Sequence, residues 1–126
     1  MDAIFISAWA IENVVFPSGF GSGMLTMPSA FDGCYSLKNI TFTTALGAHL
    51  TSTTFAFRAC SNLATITGFA PIITTSISPS VMNSAALNAL YTALPTITAQ
   101  TLTVSGNYGY AASTPTIATA KGWTVN

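Results

Sequence analysis

The sequence has a single histidine, His49, followed three positions on by Ser52. With a carboxylate to orient it, such a pair would be a minimal set for general-base activation of a hydroxyl, which needs a positioned partner. The carboxylates are Asp2, Glu12 and Asp32, scattered through the first part of the chain. No Gly-rich phosphate loop, nucleophile elbow or paired carboxylates accompany them. His49 is therefore read as a polar loop residue, no catalytic residue is assigned, and no enzyme is expected. The two cysteines, Cys34 and Cys60, are 26 positions apart. With one distant histidine they do not make the four ligands of a structural zinc site, so neither metal nor cofactor is expected. If their segments lay side by side at strand spacing, ~4.8 Å, a disulfide, with its Cα separation of ~4.4–6.8 Å, would be in reach. Two small buried thiols are the favoured alternative.

That spacing of 26 belongs to a longer pattern. "AFDGCYSLKNITF" from Ala30 returns as "AFRACSNLATITGF" from Ala56. Phe31, Cys34, Leu37 and Ile40 step to Phe57, Cys60, Leu63 and Ile66. A step backward carries Phe31 to Phe5, Cys34 to Ala8, Leu37 to Ile11, Asn39 to Asn13, Ile40 to Val14 and Phe42 to Phe16, so "FISAWAIENVVF" is a worn first copy. Self-similarity at a period of 20–50 residues points to stacked repeats. Each copy ends in an apolar alternation that fits a short strand with one buried face, expected near 13–16, 39–42 and 64–67. The third copy departs at "ITGF", where Gly68 stands in the expected place of Phe69. The intervening stretches, "PSGFGSGMLTMPSA" and "TTALGAHLTSTTFA", read as spacers whose apolar residues plug the core from the opposite side. Asp32 and Arg58 share a repeat position and are expected to pair across copies.

The pattern F-x-x-C-x-x-L-x-x-I-x-F, over roughly residues 4 to 69, resembles the BspA-like class of bacterial leucine-rich repeats. The resemblance implies a β-rich leucine-rich-repeat solenoid of about three 26-residue turns. It also implies a cell-surface or secreted setting, since that family serves in adhesion and similar modules occur in phage tail fibres.

Beyond residue 82 the repeat stops. "MNSAALNALYTALP" reads as a helix with Ser84 as its cap and Pro95 as its stop. "QTLTVSGN" alternates as a strand, "STPTIATAKG" suggests a short helix with Pro115 at its start and Lys121 in its last turn, and "WTV" a closing strand. A stack of repeats needs a distinct terminal unit over its open apolar end. Residues 83–126 are therefore expected to form a small α/β C-terminal cap on repeats at 1–82. No comparable unit stands ahead of Phe5, so a preceding domain of a longer chain, or another subunit, is expected to cover that end.

Only 5% of residues are charged and the formal net charge is zero, against roughly 25% charged residues in ordinary soluble domains. Such a chain has no means of neutralising a row of phosphates, which argues against nucleic-acid binding. No apolar run reaches the ~18 residues of a membrane span, so membrane insertion is not expected. A neutral surface also lacks the long-range repulsion that keeps copies apart. The outward positions of the predicted strands, Asn13, Asn39, Thr41, Thr65 and Thr67, form the expected recognition face for a glycan or cell-surface receptor. Ile4, Ile6 and Trp9 form the expected contact for homo-oligomerisation, as a filament or fibre tip. The function expected is a non-enzymatic structural or adhesion module, extracellular, on a cell surface or on a virion. The alternative is an ice- or crystal-surface-binding protein, given the abundance of threonine.

Overall fold

A computed structural model describes residues 5–126 of the chain. The alternating stretches of the three copies form strands β1 (Asn13–Phe16), β2 (Asn39–Leu46) and β3 (Thr65–Phe69). These pair in parallel in the order β1-β2-β3. Asn13 lies opposite Asn39, which lies opposite Thr65; Val14, Ile40 and Ile66 form the next row, and Val15, Thr41 and Thr67 the third. Strand register therefore follows the 26-residue step of the sequence.

The segments before the strands keep the same register. Phe5 and Ser7 donate backbone hydrogen bonds to Ala30 and Asp32, both at 2.9 Å; Phe31 and Gly33 donate to Ala56 and Arg58 at 2.8 and 2.9 Å. Ser7, Gly33 and Ala59 share a left-handed backbone, with φ of 56°, 75° and 60°. Glycine adopts that conformation freely, whereas serine and alanine are strained by it. Like residues consequently meet like residues. Phe5, Phe31 and Phe57 form a column with centroids 5.6 and 5.8 Å apart, and Phe16 stacks on Phe42 at 5.0 Å. Leu37, Ile40 and Leu63 are completely buried beside them.

The departure at "ITGF" has a steric reason. Strand β2 shifts register between Thr41 and Leu46, so that Leu46 faces Phe69. Gly68 takes φ of 74°, and a Cβ there would stand 2.1 Å from the Phe42 carbonyl oxygen. Glycine alone fits, and the turn delivers Phe69 into the core 5.2 Å from Phe57 and 6.3 Å from Phe42.

The fold class needs correction. In place of a leucine-rich-repeat solenoid of about three turns closed by an α/β cap, the chain forms two separate three-stranded parallel sheets with few helices. The second sheet comprises β4 (Thr75–Ser76), β5 (Gln100–Thr103) and β6 (Trp123–Val125) in that order. Its steps are 27 residues between β4 and β5, then 23 between β5 and β6. The physical cause lies in "TTSIS". This polar, Thr-rich stretch carries no predicted element, yet Thr75 and Ile77 are buried and Thr75–Ser76 gives β5 a parallel neighbour. The strands expected in a covering unit pair there instead.

Helix α1 (Ser84–Ala93) packs on β3 and contacts the short helix α2 (Thr116–Thr119). Its cap is Asn83, not Ser84: the Asn83 side chain accepts from the Ala86 N–H at 2.9 Å. Lys121, expected to serve its own short helix, instead sends its amine to the far end of α1. There it donates to the carbonyls of Tyr91 (3.2 Å), Thr92 and Leu94 (2.8 Å). Those carbonyls lack partners within the helix, and a cation suits the negative end of its dipole. Trp123 is buried, with its indole N–H on the Pro95 carbonyl at 2.8 Å.

Candidate functional site

The outward rows of the first sheet are neutral, and one of them is hydrogen-bonded from strand to strand. The Thr65 hydroxyl donates to Asn39 Oδ1, and Asn39 Nδ2 donates to Asn13 Oδ1, both at 2.7 Å. The sheet thus brings Asn13, Asn39 and Thr65 together as one ladder across three strands. Thr41 and Thr67 stand in the neighbouring row with Val15, which is 67% exposed. That row is mixed rather than a uniform threonine lattice.

The charged groups are spent at the margins. Lys38 pairs with Glu12 at 3.0 Å. Arg58 meets Asp32 in a two-point contact, with Nε donating to Oδ1 at 2.9 Å and the second bond from Nη2 to Oδ2. That contact holds the Asp32 carboxyl below its ordinary range. Both pairs join residues 26 apart.

Of the expected assembly residues, Ile4 lies outside the described residues. Ile6 and Trp9 are 51% and 66% exposed. Tyr35, one repeat beyond Trp9 and in an equivalent turn, is also exposed, so the aromatic patch continues across copies. The two tryptophans part company: Trp123 is core and Trp9 is surface.

His49 is exposed and borders a small hollow with Gly21, Ser22 and Thr44, where no carboxylate lines the wall. Ser52 lines a different hollow, its hydroxyl 3.1 Å from that of Thr54. The two are not brought together as a site. Among the described residues, no three His, Cys, Asp or Glu side chains cluster as a metal would require, and no helix is long and apolar enough to cross a membrane. Cys34 and Cys60 are unbridged and buried. Each thiol donates to the carbonyl of the phenylalanine one copy earlier, Cys34 to Phe5 at 2.9 Å and Cys60 to Phe31 at 3.1 Å. Burial pushes both thiols up, Cys60 to about 12.

A second polar feature escaped the reading of the sequence. The spacer segment Thr51–Phe55 runs beside Leu25–Ser29 on one flank, with Thr26 bridging Ser52. On its other flank it faces β4, where the Thr53 and Thr75 hydroxyls meet at 2.9 Å. Between this segment, β4 and β5 lies a groove of about 440 Å³ lined by hydroxyls, Phe55 and Gln100. The signal was the hydroxyl density of "LTSTTF" and "IITTSIS", which as separate spacers gave no reason to place them side by side. Compared with known proteins, the chain matches no family model, no curated protein and no solved structure.

Proposed function

We propose that this chain is a non-enzymatic structural and adhesion module of an extracellular appendage, on a cell surface or a virion such as a phage fibre. It presents the neutral face of β1-β2-β3 to a cell-surface receptor and associates with further copies through its exposed aromatic side. The observation that carries this reading is the Asn13–Asn39–Thr65 ladder with Thr41 and Thr67 beside it, a polar face whose named residues carry no charge. Such a face recognises by shape and hydrogen bonding rather than by electrostatic steering. The exposed Ile6, Trp9 and Tyr35 support association, because burying apolar surface yields roughly 25 cal/mol per Å².

The test is adhesion of labelled protein to a panel of intact bacterial cells, for the native chain and for Thr41→Lys with Thr67→Lys. Both positions point outward on strands, so the double variant should fold and should lose adhesion. A native protein that binds no cell surface, or a double variant that binds as well as the native chain, contradicts the proposal.

A further inference from the structure

We infer that the groove between Thr51–Phe55 and strands β4 and β5 binds an uncharged oligosaccharide. The site shares no residue with the face of the first sheet, so the inference does not rest on the adhesion reading. Four observations converge on it.

The first is chemistry. The walls carry threonine and serine hydroxyls and one amide, and no charged side chain lines the groove among the described residues. Hydroxyls both donate and accept, which matches the hydroxyl edges of a sugar. The second is the orientation of Gln100. Its Oε1 accepts from the Thr74 N–H at 2.7 Å and from the Thr74 hydroxyl at 3.1 Å. A backbone N–H fixes which end of the amide is oxygen, so Nε2 is directed away from Thr74 as a preset donor.

The third is Phe55. It is 55% exposed at the mouth of the groove with φ of 56°. Ser29, one repeat earlier, has φ of 52°, so the turn itself does not require an aromatic residue. A bulky side chain in that backbone region is unusual, and such strain concentrates at binding sites. The Arg58 guanidinium, itself held by Asp32, lies over the ring 4.5 Å from its centroid and occupies one face, so a ligand would meet the other. A rigid aromatic face suits the C–H face of a pyranose. The fourth is extent. A second hollow of about 280 Å³, bordered by Phe55, Arg58, Ser76 and Ser78, continues from the groove. Together they fall in the size range of ligand sites, roughly 300–1,000 Å³, with room for more than one sugar ring. Arg58 is neutralised by Asp32, which favours an uncharged glycan over an acidic one.

The experiment is saturation-transfer NMR and calorimetry of the whole chain with cello-, malto-, xylo-, manno- and chito-oligosaccharides, and with oligogalacturonate as the acidic arm. Two variants are designed to spare the fold. Phe55→Ser places at this turn the residue already found at position 29. Gln100→Glu keeps an acceptor for Thr74 while removing the amide donor. At least one neutral oligosaccharide should bind, each variant should weaken it about tenfold or more, and Thr67→Lys should leave it unchanged. If Phe55→Ser does not fold, Gln100→Glu decides. Absence of neutral binding, binding confined to oligogalacturonate, affinity indifferent to both groove variants, or loss through Thr67→Lys would each overturn the inference.

Discussion

The two parallel sheets reach similar geometry by opposite means. In β1-β2-β3 like residues meet at a step of 26 until β2 shifts register towards its end: phenylalanine on phenylalanine, asparagine on asparagine, thiol to the carbonyl one copy back. In β4-β5-β6 the step changes from 27 to 23 and single residues hold the strands. Asn107 is buried and bonds three partners at once. Its Nδ2 donates to the Ile77 and Val104 carbonyls at 2.7 and 2.8 Å, and its Oδ1 accepts from Ser80. Trp123 ties one distant carbonyl and Lys121 three. The first sheet distributes its stability over repeated contacts; the second concentrates it in a few side chains that have no second copy.

The largest effect should come from the concentrated side. Trp123→Ala removes a buried aromatic residue and the bond to Pro95, and should cost about 3–5 kcal/mol. Urea titration measures it, and native-state hydrogen exchange should show β5 and β6 amides opening before those of β2. Leu37→Ala, in the first region, should cost about 2–5 kcal/mol, with β2 opening first.

A sharper contrast uses one residue type twice. Asn107→Ala takes the side-chain partner from the Ile77 carbonyl and from Ser80, while the Val104 carbonyl keeps the backbone N–H, and should cost about 2–3 kcal/mol. Asn39→Ala breaks a partly exposed ladder whose groups reach water, and should cost about 0.5–1 kcal/mol. Equal costs, measured by thermal unfolding, would erase the distinction between the two regions.

The same contrast explains what the sequence discloses. Register in the first sheet is legible because Phe31, Cys34, Leu37 and Ile40 recur at a fixed step, and strands fall where the alternation predicts. The departure at Gly68 was visible, but its cause, a carbonyl 2.1 Å from any added Cβ, is a matter of three-dimensional approach. The second sheet was not legible. Two-residue β4 carries no periodicity, and its polar Thr75 reads as a loop residue until Thr53 is seen against it. Asn107, in "SGNYG", reads as a turn residue, and nothing local marks it as a buried clasp. The outward rows of Asn13, Asn39, Thr41, Thr65 and Thr67 followed from strand alternation. The groove did not, because its two walls come from segments that only the fold makes neighbours.

A further effect depends on pH. Burial raises the Cys60 thiol from 9.0 to about 12. The folded state thus favours the neutral thiol, and its contribution is whole below pH 9, where the unfolded chain also keeps the proton. It declines as pH rises from 9 towards 12, because the unfolded chain releases the proton first. Melting temperature should fall over that window, and Cys60→Ala should flatten part of the slope. An unchanged slope in the variant would assign the alkaline loss to another group.

We propose that copies of this neutral chain meet through exposed apolar side chains rather than charge. Multi-angle light scattering tests it most directly, for the native chain and for Trp9→Asp, at low and high salt. The native chain should show a mass above 13.0 kDa, insensitive to salt, because burying Ile6, Trp9 and Tyr35 forms no ion pair to screen. Trp9→Asp, which sets a charge into the patch, should return to 13.0 kDa. A native chain that stays at 13.0 kDa at every concentration, or an assembly that salt dissolves, would contradict it.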